Sequence, residues 1–280
     1  MKKTVSDLVG SWTEVKLRIL QEYASAYAII MAKQRGIKHF AYVDGFAGSG
    51  SLIAKSTGKG IPGSPVIALK IKPAFNFYHF IDLDGKRAES LRAISRDLSY
   101  VRVYEGDCNE ILIREVLPEC RFEDFRRALC LLDPYELNPN WEVVKTAAQM
   151  RSVEIFLNFM ISDANRNVLW RNPERVLPTQ IERMNQFWGD STWREISYEK
   201  SRGLFEEMEE KATNKTISQA YKERLSQVAG FKFVIDPIPM RNSKGTVLYY
   251  LYFASHNETG FKIARSIFNK YRKQGILYGS

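Results

Sequence analysis

A glycine-rich stretch, DGFAGSG, follows the apolar run HFAYV. Its main chain should be accessible at the point where a strand is predicted to end. Its three glycines, Gly45, Gly48 and Gly50, allow a ligand to approach the main chain closely. Their order, GxxGxG, is the reverse of the dinucleotide fingerprint, and the stretch TGKG lacks the Ser or Thr that a P-loop requires. The pattern therefore argues against NAD and nucleoside triphosphates as ligands.

Asp44, directly before these glycines, narrows the choice of ligand further. A carboxylate beside a glycine turn suits a ligand with a cationic or amine group that bare backbone can approach. S-adenosylmethionine carries a sulfonium, an α-amine and a carboxylate, so we predict that this stretch forms part of an S-adenosylmethionine pocket. A plain glycine turn between a strand and a helix is the alternative.

Two further acids end the next predicted strands. Asp82 directly follows the apolar run of NFYHFID, and an acid at that position can accept from both ribose hydroxyls of a nucleotide. Asp107, in YEGDCN, can accept from an adenine amino group while the backbone N–H of Cys108 donates to the ring. A helix N-cap is the alternative role for Asp107, and it also suits Asp84, the neighbour of Asp82.

The fourth predicted strand is followed by Asp133-Pro134-Tyr135, which resembles the (D/N/S)PP(Y/F/W) signature of amino-group methyltransferases but lacks one proline. An exocyclic amine on a base is a poor nucleophile because its lone pair is delocalised into the ring. A carboxylate and a backbone carbonyl that accept its two hydrogens favour a more pyramidal nitrogen. An aromatic ring stacked on the base adds ~1–3 kcal/mol. A generic turn after a strand is the alternative.

These motifs belong to a regular alternation of strands and helices. Most of the predicted strands are near-continuous apolar runs, typical of parallel strands covered by helices on both faces. Five βα units precede the strands FKFVIDPIPM and TVLYYLYFASH and a helix from about Glu258 to Lys273. We predict an α/β, Rossmann-like fold of the class I methyltransferase type, with a seven-stranded, mostly parallel sheet and an antiparallel last strand. Ligands of such sheets bind at the carboxyl ends of the strands.

A helix with apolar residues at helical spacing precedes the first strand, and Thr13 is its predicted N-cap. Lys16 on this helix could reach a cofactor carboxylate as a point charge, and an exposed surface lysine is the favoured alternative. Ser64, before Pro65 in GSPVIALKI, is predicted to cap the helix that follows the first strand.

The alternation stops between residues 162 and 230, where we predict a helical insertion within a single domain that spans residues 1–280. The insertion holds Trp170, Trp188 and Trp193 among several arginines, a mixture that suits base stacking and phosphate contact. Tryptophans in a helical segment are more often core residues, so both interpretations stay open. We expect the insertion to recognise the substrate or a partner.

The composition limits the class of protein. A formal net charge of +9 permits RNA or DNA as a partner without requiring one. The basic residues of the final helix fit either a solvated face or a phosphate-contacting surface. Three cysteines, Cys108, Cys120 and Cys130, lack CxxC spacing, which predicts reduced thiols, a cytoplasmic protein and no metal site. The sequence predicts neither a signal peptide nor a membrane span.

A set of motifs that runs through nearly the whole chain resembles the three-Cys-motif partner family, TcmP. The motifs include KLRIL, DGFAGSG, GSPVIAL, FIDLD, GDCN, LLDPY, FWGDSTW and YYLYFASH. The family is named after a neighbouring protein with a three-cysteine motif, and its members look like class I S-adenosylmethionine-dependent methyltransferases. The resemblance implies a catalytic-loop role for Asp133, Pro134 and Tyr135, although Glu136 stands where the family usually has glycine. It implies a cofactor-binding role for Asp44, Gly45, Phe46, Gly48, Gly50, Asp82 and Asp107.

Together the motifs predict an S-adenosylmethionine-dependent methyltransferase that acts on an exocyclic amine of a nucleic-acid base. Two alternatives remain. The first is a cofactor-binding protein without transfer activity that partners a three-cysteine-motif protein in a mobile-element or defence locus. The second is an enzyme that methylates an amine of a small molecule or of a protein.

Overall fold

The computed structural model describes residues 7–202 and 207–273, which form an α/β structure around one large sheet. The strands are, in chain order, β1 (Asp7–Val9), β2 (His39–Asp44), β3 (Ser51–Ala54), β4 (Gly60–Pro62), β5 (Phe77–Asp82), β6 (Val101–Glu105), β7 (Arg126–Leu132), β8 (Val153–Phe159), β9 (Tyr198–Arg202), β10 (Glu207–Lys211), β11 (Phe233–Val234), β12 (Ile238–Arg241) and β13 (Val247–Ser255).

The helices alternate with the strands of the large sheet. They are α1 (Ser11–Lys33), α2 (Ser64–Lys70), α3 (Gly85–Ile94), α4 (Cys108–Ile111), α5 (Trp141–Met150), α6 (Ile161–Asn167), α7 (Pro178–Trp188), α8 (Trp193–Ser197), α9 (Asn214–Gln227) and α10 (Glu258–Lys273). A π-helical turn, Leu112–Val116, and a 3-10 turn, Leu117–Cys120, continue α4. A further 3-10 turn covers Pro173–Arg175. In the part of the chain that the structure describes, no helix is long and apolar enough to cross a membrane.

The large sheet has the order β6-β5-β2-β7-β8-β13, and β11 and β12 both pair with the outer side of β13. Strands β2, β5, β6, β7 and β8 are parallel, whereas β13 is antiparallel to all three of its partners, β8, β11 and β12. The carboxyl ends of the five parallel strands therefore meet at one end of the sheet. This arrangement confirms the predicted mostly parallel, Rossmann-like sheet with an antiparallel last strand.

The prediction of seven strands differs from the structure at FKFVIDPIPM. This segment forms two short strands, β11 and β12, where one was expected, so the large sheet contains eight strands. Pro237 lies in the gap between them, and proline has no backbone N–H to donate to a ladder. Both pieces still pair along the same side of β13, so together they occupy one position at the edge of the sheet.

Two small sheets were not predicted. Strand β3 pairs with β1 and β4, and this sheet directly follows the glycine-rich loop. Strands β9 and β10 form an antiparallel pair within residues 162–230, where the sequence predicted helices. The same segment contains α7, α8 and α9, so it is only partly helical among the residues described; residues 203–206 lie outside them.

The two predicted helix caps near the start of the chain are wrong. Helix α1 has Gly10 as its N-cap, and Thr13 lies within the first turn with its N–H donating to the Gly10 carbonyl. Helix α2 has Gly63 as its N-cap, so Ser64 is the first helical residue and makes no capping hydrogen bond. The Ser64 hydroxyl is available for another partner as a result.

Buried side chains cover both faces of the large sheet. One layer consists mainly of residues from α1, α2 and α10, and the other of residues from α5, α6, α7 and α9. Every residue of β8 is buried, as expected for a strand covered on both faces. Trp188 and Trp193 are buried in the second layer, which supports the interpretation of both as core residues, whereas Trp170 is 38% exposed.

Candidate functional site

Two cavities open at the carboxyl ends of the parallel strands. The larger, of about 590 Å³, is lined by the loops after β2, β5, β6 and β7 and extends to Arg183 and Gln186 on α7. The smaller, of about 140 Å³, lies between the glycine-rich loop, the start of α1 and Asp133. Phe46 and Tyr135 line both cavities, so the two spaces adjoin.

The glycine-rich loop passes from one cavity to the other and needs its glycines for two different reasons. Gly48 and Gly50 have φ angles of 64° and 77°, in the left-handed region that side chains disfavour. Gly45 has no room for a side chain, because a Cβ there would lie 2.7 Å from Sγ of Cys108. The Gly45 N–H also donates to the Leu131 carbonyl at 2.9 Å, which ties the loop to β7.

Asp82 lines the larger cavity and also holds the glycine-rich loop in place. Its Oδ2 accepts from the Gly48 N–H at 2.8 Å, and its Oδ1 accepts from the Asp84 N–H at 2.9 Å. Each carboxylate oxygen has two lone pairs, so both retain the capacity to accept another hydrogen bond. The sequence predicted a ligand-binding acid here; it did not predict the structural role.

Asp107 and Asp84 are both helix N-caps, and both line the larger cavity. Asp84 accepts from the Lys86 and Arg87 N–H groups, as predicted for that residue. Asp107 accepts from the Asn109 N–H at 2.6 Å, and its exposed side chain faces the same space as Cys108. Burial raises the pKa of the Cys108 thiol well above its usual range, which leaves this cysteine a poor nucleophile.

Asp133 is the centre of a polar cluster in the smaller cavity. Its Oδ2 is ion-paired with Nζ of Lys16, and its Oδ1 accepts from Nδ2 of Asn158 on β8. Lys16 is 6% exposed, so the favoured prediction of a surface lysine is wrong. The side chain extends inward from α1 because its charge is matched by a carboxylate, the condition under which a buried lysine is tolerated.

Asp44 is fully buried at the end of β2 and does not belong to the lining of either cavity. Burial raises the pKa of its carboxyl to about 7, opposed by a hydrogen bond from Ser64 and increased by the charge of Asp133. The Phe46 N–H donates to Oδ1 of Asp44 at 3.3 Å. Asp44 therefore supports the glycine-rich loop from inside the protein, and Ser64 is its partner.

The loop after Asp133 is fixed by contacts with two helices. Tyr135 is 58% exposed, and the Arg87 guanidinium lies 5.3 Å from its ring centroid. Glu136 forms an ion pair of 2.6 Å with Arg183, which also lies 2.9 Å from the buried carboxylate of Asp163. The residue that departs from the TcmP pattern, Glu136, thus links this loop to α7.

Asn158 and Tyr249 were not predicted as site residues, and Arg183 was predicted only as one of the arginines of residues 162–230 that suit phosphate contact. Asn158 lies near the end of β8 and is fully buried; a polar residue near the end of the mainly apolar run VEIFLNF was the available signal. Tyr249 lines the smaller cavity with a buried hydroxyl, and Oδ1 of Asn158 is also buried; neither atom has a hydrogen-bond partner within the described residues. Buried polar atoms of this kind often mark a place where a ligand or water binds.

No protein-family model matches the chain, and no curated protein matches it. Among solved structures, it is similar to LPL1258 from Legionella pneumophila str. Philadelphia 1, a protein of family model DUF519. The TM-score is 0.51 at 10% identity, over 94% of this chain and 92% of that one. This similarity shows a shared fold.

More distant similarities were also found. An S-adenosylmethionine-dependent methyltransferase from Clostridium acetobutylicum ATCC 824 matches with a TM-score of 0.38 at 10% identity, over 85% of this chain and 91% of that one. The DszA carbon methyltransferase matches with a TM-score of 0.42 at 14% identity, over 82% of this chain and 50% of that one.

Proposed function

We propose that this protein is an S-adenosylmethionine-dependent methyltransferase that transfers a methyl group to an exocyclic amino group of a nucleic-acid base. The observation that carries the proposal is the position of Asp133, Pro134 and Tyr135, which follow β7 where the two cavities adjoin. The strand order and the antiparallel β13 support a sheet of the class I methyltransferase type. In open α/β sheets, ligands bind at this end of the strands.

The larger cavity fits the nucleoside part of the proposed cofactor. Its volume of about 590 Å³ lies within the range of roughly 300–1,000 Å³ that small-molecule sites occupy. Asp82 would accept from ribose hydroxyls with its remaining lone pairs, and Asp107 from an adenine amino group. The backbone N–H of Cys108, at the start of α4, would donate to the adenine ring.

The remaining cofactor-binding residues are proposed to hold the amino-acid part. These are the glycine-rich loop with Gly45, Phe46, Gly48 and Gly50, the buried Asp44 that supports it, and Lys16. Gly48 has open space where a Cβ would be, so a ligand can approach its backbone. When bound, S-adenosylmethionine supplies an electrophilic methyl group on its sulfonium. The residues of the chain orient the acceptor.

Asp133 would accept one hydrogen of the target amine, and the Pro134 carbonyl the other, which localises the nitrogen lone pair. Lys16 and Asn158 hold the carboxylate in one orientation through its two oxygens. Tyr135, exposed at the cavity rim, would stack on the base and contribute ~1–3 kcal/mol to binding. A base in a duplex would have to be flipped out to reach this position.

Residues 162–230 are proposed to recognise the substrate or a partner, because Arg183 and Gln186 of α7 form one wall of the larger cavity. The TcmP resemblance proposes a three-cysteine-motif protein as that partner. One observation favours a second function, a cofactor-binding partner protein without transfer activity. Both oxygens of Asp133 already accept from the protein's own donors, Lys16 and Asn158, which leaves less acceptor capacity for an amine.

The decisive experiment is incubation of the protein with methyl-labelled S-adenosylmethionine and separate pools of RNA, DNA and protein. We expect label in the RNA or DNA pool. The variant Asp133→Asn keeps the shape of the side chain and should lower transfer by roughly 100-fold or more, a loss comparable to removing one preorganised polar group from an active site.

Calorimetric titration with S-adenosylmethionine separates the two candidate functions. Binding without transfer to any pool supports the partner protein, and absence of binding contradicts both candidates. Asp97→Ala, which alters an exposed acid outside both cavities, is the matched control and should transfer at the normal rate. Normal transfer by Asp133→Asn would contradict the proposed mechanism.

A further inference from the structure

A third cavity, of about 420 Å³, lies at the opposite end of the large sheet. It is enclosed by α1, the first residues of β7 and β8, and the end of β13. Because β13 is antiparallel to β8, its last residue, Ser255, comes next to Glu154 near the start of β8. None of the residues that line this cavity lines either cavity of the candidate functional site, so any ligand here would occupy a separate site.

Glu154 is the buried acid of this cavity, and it is fully engaged by the protein. The Tyr23 hydroxyl donates to its Oε2, and the side chains of Ser255 and Asn257 also form hydrogen bonds with it. The carboxyl group lies against the first turn of α10, since a Cβ on Gly260 would be 2.9 Å and 3.0 Å from its two oxygens. This acid therefore has little capacity left to bind a cation in the cavity.

The Tyr27 hydroxyl is the unsatisfied polar group of the cavity wall. Tyr27 is 3% exposed, and within residues 7–202 and 207–273 its hydroxyl has no hydrogen-bond partner. Its ring is held by a stacked contact with Phe75, with centroids 5.9 Å apart. Because buried hydroxyls nearly always find a partner, an orphaned one beside a cavity indicates a missing ligand or water.

Two guanidinium groups give the cavity its positive charge, and the Glu154 carboxyl, whose pKa burial raises to about 7, opposes part of it. Arg127 and Arg151 both belong to its lining, and the Arg127 guanidinium lies 4.0 Å from the ring centroid of Phe122. His256 adds little charge near neutral pH, because burial lowers its pKa; its hydrogen bond to the Ala148 carbonyl acts in the opposite direction but is the smaller effect. Glu123, close to Arg127, balances part of this charge from outside the cavity lining. The arginines present planar donors that match a carboxylate or a phosphate.

We propose that this cavity is a binding site for a small organic anion with an apolar body and one carboxylate or phosphate group. Arg127 and Arg151 bind the anionic group, and the Tyr27 hydroxyl bonds to a polar atom of the ligand. The apolar body packs against Met31 and Phe122, which complete the wall. The volume is at the lower end of the range of ligand pockets, roughly 300–1,000 Å³, which limits the ligand to a compact molecule.

Fluorine NMR with three probes of similar shape tests the proposal. The probes are 4-fluorobenzoate, 4-fluorophenyl phosphate and the neutral 4-fluorobenzamide. We expect line broadening and saturable binding for one or both anions and none for the neutral probe. Comparison of the two anions distinguishes a carboxylate from a phosphate ligand. Equal binding of the neutral probe, or no binding of either anion, overturns the proposal.

Two variants of residues that line the cavity test whether the probe binds there. Arg127→Gln should weaken anion binding by at least roughly 10-fold, because it removes a charged donor. Tyr27→Phe removes only the orphaned hydroxyl and should weaken binding about 3-fold without destabilising the fold. Arg96→Gln, an exposed site outside the cavity, is the control and should bind normally. Unchanged affinity in both Arg127→Gln and Tyr27→Phe would show that the anion binds elsewhere and would refute the assignment.

Discussion

Asp133 combines a position suited to chemistry with one protein partner on each of its two carboxylate oxygens. A carboxylate offers about four acceptor directions, and Lys16 and Asn158 occupy one on each oxygen. Such a carboxylate is well oriented, and it retains capacity for further donors. Within the part of the chain that the structure describes, the Tyr249 hydroxyl and Asn158 Oδ1 have no hydrogen-bond partner, and Tyr249 lines the same small cavity as Asp133.

Lys16→Met tests the importance of this cluster for stability. It leaves the Asp133 carboxylate without its cation in a largely buried position and should lower the free energy of unfolding by about 3 kcal/mol. Lys33→Met, an exposed site on the same helix, is the matched control and should change it by less than ~0.5 kcal/mol. Urea denaturation measures both, and equal stability of the two variants would contradict the buried ion pair.

Glu154 should make stability depend on pH. Burial raises the pKa of its carboxyl to about 7 in the folded protein, from 4.5 when unfolded. Between these values folding takes up a proton, so the contribution of Glu154 is greatest below the lower value and is lost as pH rises through the higher one. Relative to the wild type, Glu154→Gln should therefore gain about 3 kcal/mol of stability between about pH 5 and pH 8.

Denaturation of both proteins across this pH range measures the difference directly. Glu142→Gln changes an exposed glutamate and should show no such trend relative to the wild type. A constant difference between wild type and Glu154→Gln at all pH values would mean that the carboxyl group titrates normally in the folded protein.

The acids at the strand ends could be predicted from the sequence. The side chains that form hydrogen bonds or ion pairs with these acids could not. Asp82 and Asp133 could be predicted because each directly follows an apolar run, and Asp107 because it follows a predicted strand after one glycine; strand ends meet in parallel sheets. The contact of Lys16 with Asp133 joins residues 117 positions apart, and nothing in the local pattern of α1 indicates it. Long-range pairs of this kind depend on how the helix packs, which a single sequence does not reveal.

At the scale of elements, the ion-pair cluster of Glu136, Arg183 and Asp163 joins the loop after β7 to α7. Asp163 is 1% exposed at its side chain, whereas Glu136 is 54% exposed, so Arg183 has one buried and one solvated partner. The Leu137 N–H also donates to Asp163, which fixes the loop at a second point. This cluster explains how the loop after β7 is held in place.

The ion pairs of Arg183 with Asp163 and with Glu136 should contribute differently to the free energy of unfolding. Arg183→Gln removes the nearer of two cations from the buried Asp163 carboxylate, because Arg166 lies 3.9 Å away, and should cost about 2 kcal/mol of stability. Glu136→Gln removes only a solvated pair and should cost less than ~1 kcal/mol. Chemical denaturation of the two variants tests this order, and a larger loss for Glu136→Gln would show that the loop depends on the exposed pair.

The order of strands and helices was largely predictable, because the buried strands are apolar runs and the helices have their own periodicity. Helix α10 was predicted with the bounds found, Glu258–Lys273. The pair β9 and β10 was missed, because its strands, YEKSR and EMEEK, are polar and one of them is rich in glutamate, a composition that favours helices in isolation. Antiparallel pairing between these two consecutive segments overrode the local preference.

At the scale of the whole molecule, charge distinguishes the proposed nucleic-acid substrate from a small molecule. The net charge is +9, and α10 presents Arg265 and Lys270 on its surface. Lys270 is paired with Glu22, so part of this charge is internally balanced. If α10 contacts phosphates, affinity for RNA or DNA should depend steeply on salt.

Fluorescence anisotropy with labelled RNA and DNA measures that dependence. Contact with about four phosphates would lower affinity roughly 100-fold between about 50 and 200 mM salt. Arg265→Gln should reduce the slope of log affinity against log salt by about 1, whereas Lys145→Gln, on α5, should leave it unchanged. A slope near zero for both nucleic acids would argue for a small-molecule or protein substrate.

The interruption between β11 and β12 also affects whether another protein chain can add a strand to the edge of this sheet. At that side of the sheet, Pro237 and Pro239 remove backbone donors, and the register with β13 is irregular between Met240 and Arg241. At the opposite side, β6 carries the charged residues Arg102 and Glu105. Open strand edges are templates for aggregation, and proline, charge and irregular pairing are the devices that block it. Neither side of the sheet therefore favours strand addition, and a protein partner would bind through helices and loops.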